Sequence, residues 1–348
     1  MKLRDKFPEI YHQLLPDLLS LDIPEEKFSD CNNCHLCASN KLSVSQSKCC
    51  TYHVILPNYM VGAILSDSAV MDSHTTIQQK IESKQSVSPY GIAGTSDILE
   101  YETRRQNRQH KNITFEDRAR YTCPFLINES CSIWKYRSEL CITYFCNPVS
   151  GKKGTKFWDA LYQFIRYIES QMAHYALVKL GYPVHLMNFT RLKHDSYNFY
   201  NEDGSFDQDG FDRLWVNYKE EELYKECYNI ISNVTASQLK EILGHKGIWM
   251  QDKCRHLLNT ARKSIIPDDL LFAKDNKVES LDESTFNITS PIGVSIKVSK
   301  ILLFGLKSFD GTKTPQDILR SSNLIFPVNS RRLHRFIDAG ILIKAPNS

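Results

Sequence analysis

"CPFLINESCSIWKYRSELCITYFC", residues 123–146, places four cysteines in 24 residues of a 348-residue chain. An earlier stretch is denser: "CNNCHLCASNKLSVSQSKCC", residues 31–50, has five in 20. Cys31, Cys34, Cys37, Cys49, Cys50, Cys123, Cys131, Cys141 and Cys146 make up nine of the eleven cysteines. Charges interrupt every apolar run of "MKLRDKFPEIYHQLLPDLLS", so no signal-peptide segment is expected. The longest apolar run, "ILLFGL" at 301–306, is too short to span a bilayer. The chain therefore reads as soluble and cytoplasmic, where reducing conditions disfavour a disulfide framework. Clustered thiols then point to a soft metal: zinc, copper(I) or iron–sulfur. Cys227 and Cys254 lie alone in helical patterns and read as small core hydrophobes.

Spacing narrows the choice of metal. Zinc ribbons repeat C-x2-C twice. Here C-x2-C-x2-C opens like a bacterial ferredoxin run, but Lys41 stands where the local fourth cysteine would fall. The only Cys-Pro of the chain is Cys123-Pro124, which leaves Cys123 as a candidate remote fourth ligand. Cys49 and Cys50 are adjacent, so in extended backbone they face opposite sides. A single structural zinc among buried spectator thiols is the competing reading. His35 and His53 are candidate extra ligands. Arg137 is a candidate to neutralise the charge of gathered thiolates, and Tyr144 and Tyr52 to donate hydrogen bonds to sulfurs. No Walker loop, G-x-G-x-x-G, nucleophile elbow or H-E-x-x-H is present, and no catalytic residue is assigned.

Taken together, the two cysteine groups resemble the YkgJ-type family, a zinc- or iron-chelating domain with a CxxCxxCC signature. Its second half typically reads Cys-Pro-Phe/Leu-Leu, Cys-x-Ile-Tyr, Arg-Pro and two closing cysteines. The matching elements here are Cys123-Pro124-Phe125-Leu126, Cys131-Ser132-Ile133-Trp134, Arg137, Cys141 and Cys146. Eleven residues separate the Cys49-Cys50 pair from Cys37, so the pair does not close the motif directly, and Ser138, Ile142 and Trp134 depart from the pattern. The layout is also similar, more loosely, to the flagellin lysine methylase family, which implies an iron–sulfur cluster and action on a protein.

The rest of the chain supplies a mainly helical α+β frame. Helices are expected over 5–20, after Asn58, over about 155–181, and over 211–233, 235–243 and 248–265. Residues 83–97 read as a mobile loop and 265–285 as a linker. The arginine-rich stretch 102–120 reads as a solvated segment. "NEDGSFDQDGFD" (201–212) looks like a calcium loop, but Val216 falls where a bidentate Glu belongs, so an acidic turn is expected. Residues 286–348 read as strands, a helix from Ser299, a helix started by Thr314-Pro315, and a basic helix with Arg331, Arg332 and Arg335. That order is winged-helix-like and resembles PqqD-type peptide-binding modules. The 43 basic residues nearly balance 40 acidic ones, which makes nucleic acid an unlikely partner for the chain as a whole and leaves room for local patches.

The reading is thus a cysteine-cluster metal-binding domain with a helical framework over 1–265 and a small module over 286–348. An iron–sulfur cluster (4Fe-4S) is favoured, with zinc or mononuclear or multinuclear iron as the alternative. The function expected is a redox protein or a protein- or peptide-modifying enzyme. A non-catalytic zinc-binding adaptor or regulator is the rival.

Overall fold

The computed structural model describes residues 1–26, 50, 53–94, 98, 122–128, 130–145, 148–186, 199–201, 203–321 and 330–345. The expected helix over 5–20 is instead a run of short pieces. Two 3-10 turns, Leu3–Lys6 and Glu9–Tyr11, precede α1 (Pro16–Leu19). Pro8 and Pro16 lack the N–H groups that a continuous helix would need. The apolar spacing survives this break: Phe7, Leu14, Leu15, Leu18 and Leu19 are all buried.

β1 (Leu56–Pro57) leads into α2 (Asn58–Leu65). Asn58 is the first residue of that helix and Pro57 its cap. The Asn58 side chain donates to the carbonyls of Pro89 and Ala173, at 3.0 and 3.1 Å, and so ties three segments together. A 3-10 turn, Ser68–Val70, and α3 (Met71–Glu82) follow. The expected mobile loop 83–97 contains β2 (Val87–Ser88) and β3 (Gly91–Ile92), which are buried and complete a small sheet of order β1-β3-β2. Its polar residues are satisfied internally; Tyr224, for example, donates to the Ser88 carbonyl at 2.7 Å. Ser/Gly/Pro content there marks a tight turn rather than exposure.

β4 (Leu126–Ile127), β5 (Ser130–Cys131) and α4 (Glu139–Thr143) form the second cysteine segment. α5 (Gly151–Lys179) is the central helix and begins four residues before its expected start. It buries Phe157, Leu161, Phe164, Ile165, Ile168, Met172 and Leu177 along one face. The expected helix 211–233 is two, α6 (Gln208–Trp215) and α7 (Glu220–Ile231). Val216 and Asn217 break it with left-handed φ of 51° and 65°. α8 (Ala236–Arg262) covers the two helices expected after 235, with non-helical backbone at Gly244 between them. Cys227 and Cys254 are fully buried, as expected of core thiols.

α2 crosses α7 at Gly62. A Cβ there would meet the Tyr224 carbonyl oxygen at 1.9 Å, so only glycine permits the crossing. Around α2, α5, α7 and α8 lies the larger of two hydrophobic cores.

The expected linker 265–285 holds β6 (Leu270–Phe272) and β7 (Lys277–Ser280). β8 (Thr285–Thr289), β9 (Ser295–Ser299), α9 (Lys300–Lys307), α10 (Pro315–Ser321), α11 (Ser330–Asp338) and β10 (Leu342–Lys344) follow. The sheet order is β7-β8-β9, and β10 pairs with β6. A second core gathers Leu306, Phe309, Leu333, Phe336 and Ile341, together with Val149, Ile266 and Leu270 from outside 286–348. The protein is a mixture of helix and small sheets, and no helix among the described residues is long and apolar enough to cross a membrane.

Candidate metal centre

The pairing of β4 with β5 sets Leu126 opposite Cys131 and Ile127 opposite Ser130. This hairpin folds Cys131 back beside the strand that follows Cys123. Both cysteines then begin the same small turn. The Cys123 sulfur accepts the backbone N–H of Phe125, and the Cys131 sulfur that of Ile133, each two residues on. Phe125 and Ile133 are 2% and 1% exposed, so the core grips the very residues whose N–H groups serve the sulfurs. That is the physical content of the Pro-Phe and Ser-Ile elements in the sequence. A further N–H, from Val54, also reaches Cys123.

A 3-10 turn at Trp134–Tyr136 carries the chain on to α4 and Cys141. It is clamped from outside by Asp67, whose carboxylate accepts Lys135 Nζ at 2.8 Å and the Tyr136 hydroxyl at 2.6 Å. Lys135, Tyr136 and the Ala69 N–H hold Asp67 well below the usual carboxylate range. Arg137 donates to the carbonyls of Trp134 and Lys6, at 3.0 and 3.1 Å, and stacks 3.5 Å from the Trp134 ring centre. Beneath α4, the Glu139 N–H donates to Glu169 at 3.0 Å, and the Tyr11 hydroxyl donates to the same oxygen. Burial, then the charge of Glu139, raises Glu169 far above its ordinary pKa.

The three thiols Cys123, Cys131 and Cys141 share one electrostatic neighbourhood. Burial pushes Cys123 up to about 11, with Cys131 adding to the rise. Cys141 retains accessible surface, yet desolvation by the surrounding protein, then Cys123 and Cys131, raise it further. Arg137 opposes the rise at Cys131 and Cys141, and Lys80 opposes it at Cys123. A nucleophilic cysteine needs a depressed pKa, which none of these has. A thiophilic cation among them would reverse the mutual repulsion and displace the protons, as ligand thiols require. The N–H···S bonds already favour the thiolate form. These residues therefore fit a thiolate-bound metal better than a reactive thiol.

The ends of the first cysteine stretch are fastened to the second. The Cys123 N–H donates to the Cys50 carbonyl at 2.8 Å. His53 Nε2 pairs with the Thr122 carbonyl at 3.1 Å. At the other end, Glu26 accepts the Val149 N–H and Trp158 Nε1–H, both at 2.6 Å. Residues 26 and 50 thus both join segments that flank 123–146. Cys31, Cys34, Cys37, Cys49, Cys146, His35, Tyr52 and the arginine-rich stretch 102–120 lie outside the described residues. Among the described residues, no group of three His, Cys, Asp or Glu side chains is close enough to hold a metal ion by itself.

Arg137 lies with the thiols. Tyr144 closes α4 with 46% of its surface exposed. Asp203 and Asp207, in the acidic turn, accept backbone N–H groups of Ser205 and Gly210. Sequence reasoning missed Lys80, Val54 and Glu26. Lys80 stands beside Ile77 and Ile81, the apolar side of α3, and that placement was the available signal. No known family model matches the chain, and neither does any curated protein or solved structure.

Proposed function

We propose that the chain binds an iron–sulfur cluster and acts, in the cytoplasm, as a redox protein or a protein- or peptide-modifying enzyme. The observation that carries this is the shared electrostatic neighbourhood of Cys123, Cys131 and Cys141, where Lys80 opposes the rise at Cys123, Arg137 opposes it at the other two, and backbone N–H groups serve two of the sulfurs. These three would be ligands together with cysteines of the 31–50 stretch or Cys146. Thiolates around iron leave net negative charge, which Lys80 and Arg137 would offset. A bound cluster would supply one-electron chemistry or a Lewis-acidic iron. The protein's own part is to fix the sulfurs through the Phe125 and Ile133 turns and to tune them by hydrogen bonds and charge.

A zinc staple is the second reading. It suits the short strands β4 and β5, which could not hold their shape on hydrogen bonds alone. Against it stands the large core beside the thiols, which gives the fold apolar support without a metal. The order β7-β8-β9-α9-α10-α11 supports a winged-helix-like, PqqD-like module in which β9 is an edge strand open to an added peptide strand. Anaerobic purification with a visible spectrum and assays of iron, zinc and acid-labile sulfide tests the pair. Brown protein containing iron and sulfide supports the cluster, and colourless protein with zinc alone refutes it.

A further inference from the structure

The chain's small net charge conceals a lopsided distribution. Residues 286–348 hold nine Lys and Arg against three Asp and no Glu, a surplus of six, whereas the whole chain has a surplus of three. The rest of the chain is therefore slightly acidic. The basic module packs through α11 onto the start of α5. His334 lies against Gly151, where a Cβ would sit 2.3 Å from its ring, and pairs with the Val149 carbonyl at 3.3 Å.

The start of α5 is itself basic. Lys152, Lys153 and Lys156 are all exposed, and no acidic residue occupies the first turn. Cations there oppose the helix dipole, so the fold gains nothing from them. Ser150, which caps this helix, is 2% exposed, and its hydroxyl has no partner among the described residues. Arg332 and Arg335 stand one turn apart on the exposed side of α11, and the charges of Asp338 and then Lys153 reach His334 between them. Two helices from different cores thus present their cations on one junction. The apolar Ile292, 67% exposed, lies against Gly340, just past the C-terminal end of α11.

We propose that the junction formed by Lys152, Lys153 and Lys156 of α5 with Arg332 and Arg335 of α11 docks an acidic peptide segment of a partner protein. Charge complementarity selects a polyanion. The near-balanced charge of the whole chain and its slightly acidic remainder work against a long nucleic acid, so the occupant is a short acidic peptide segment. The junction follows directly on the segment fastened to Glu26, so a docked peptide would lie on the route between the C-terminal module and the thiols. This inference goes beyond the cluster reading and does not depend on what the thiols hold.

The test uses the full chain and a fluorescein-labelled peptide of repeated Glu-Glu-Leu, with an oligothymidylate of similar length as rival probe. Fluorescence anisotropy at low salt should show the peptide binding. The combined change Lys152→Gln, Lys153→Gln, Lys156→Gln should weaken it about tenfold or more, as should Arg332→Gln with Arg335→Gln. The lysine variant should unfold at the same temperature as the parent or higher, because it relieves the helix dipole, and its metal content should match the parent's. Peptide affinity unmoved by either set of changes would overturn the proposal. So would oligothymidylate binding tighter than the peptide through the same residues.

Discussion

The two cores handle charge in opposite ways. In the larger one Glu26, Glu139 and Glu169 are each less than a tenth exposed and hold chain segments together. In the smaller one Ser290 is the only buried polar side chain among the described residues, and the cations stand outside. Burying a carboxyl is unfavourable unless its partners are fixed, so buried networks occur where geometry must be held. The difference sets a hydrogen-bonded, positioned edge on the larger core against a charged outer surface on the smaller one.

The largest effect expected in this contrast is at Glu26, which belongs to the first region but holds Val149 of the second core. Glu26→Leu strands the Val149 and Trp158 N–H groups and should cost about 3 kcal/mol in urea unfolding. A loss near zero would mean the two regions are not joined there. Next is Glu169. Its raised pKa means that stability is full below its unfolded pKa, about 4.3, and is lost as pH rises through the folded value. Glu169→Gln should therefore compare better with the parent at pH 8 than at pH 5, by about 1–2 kcal/mol. The reverse trend would contradict a raised Glu169 pKa.

Asp67 has the opposite sign. Its depressed pKa contributes stability above its unfolded value near 3.9, and that stability is lost as pH falls further. Asp67→Asn should cost about 1 kcal/mol at pH 7, discounted because Lys135 is half exposed, and the cost should vanish in strong acid. The smallest effect expected is at His334, whose pKa is lowered by burial, so its contribution fades as pH drops below about 6.5. His334→Gln should shift stability by about 0.5 kcal/mol, measured as a difference between pH 7.5 and 5.5. A pH-independent shift would mean that the contact with Val149 is steric only.

Much of the site could be read from sequence because cysteine spacing and the Pro-Phe and Ser-Ile elements are local. Phe125 and Ile133 stood out in the sequence as motif elements, and the structure adds that their N–H groups serve the sulfurs. Lys80, Val54 and Glu26 come from distant segments, and no local pattern places them. Apolar periodicity found α5 and the halves of α8, whose buried stripes are long. It misled over 5–20, where Pro8 and Pro16 break a helix whose apolar spacing persists. Composition misled between 83 and 94, where the same small residues that mark loops form a buried hairpin.

The most direct measurement is of the metal itself, in protein purified without oxygen alongside Cys131→Ala. The account predicts brown parent protein with iron and acid-labile sulfide, and a folded, bleached variant with intact far-ultraviolet circular dichroism. Colourless parent protein containing zinc alone, or iron and sulfide retained in full by the variant, would contradict it.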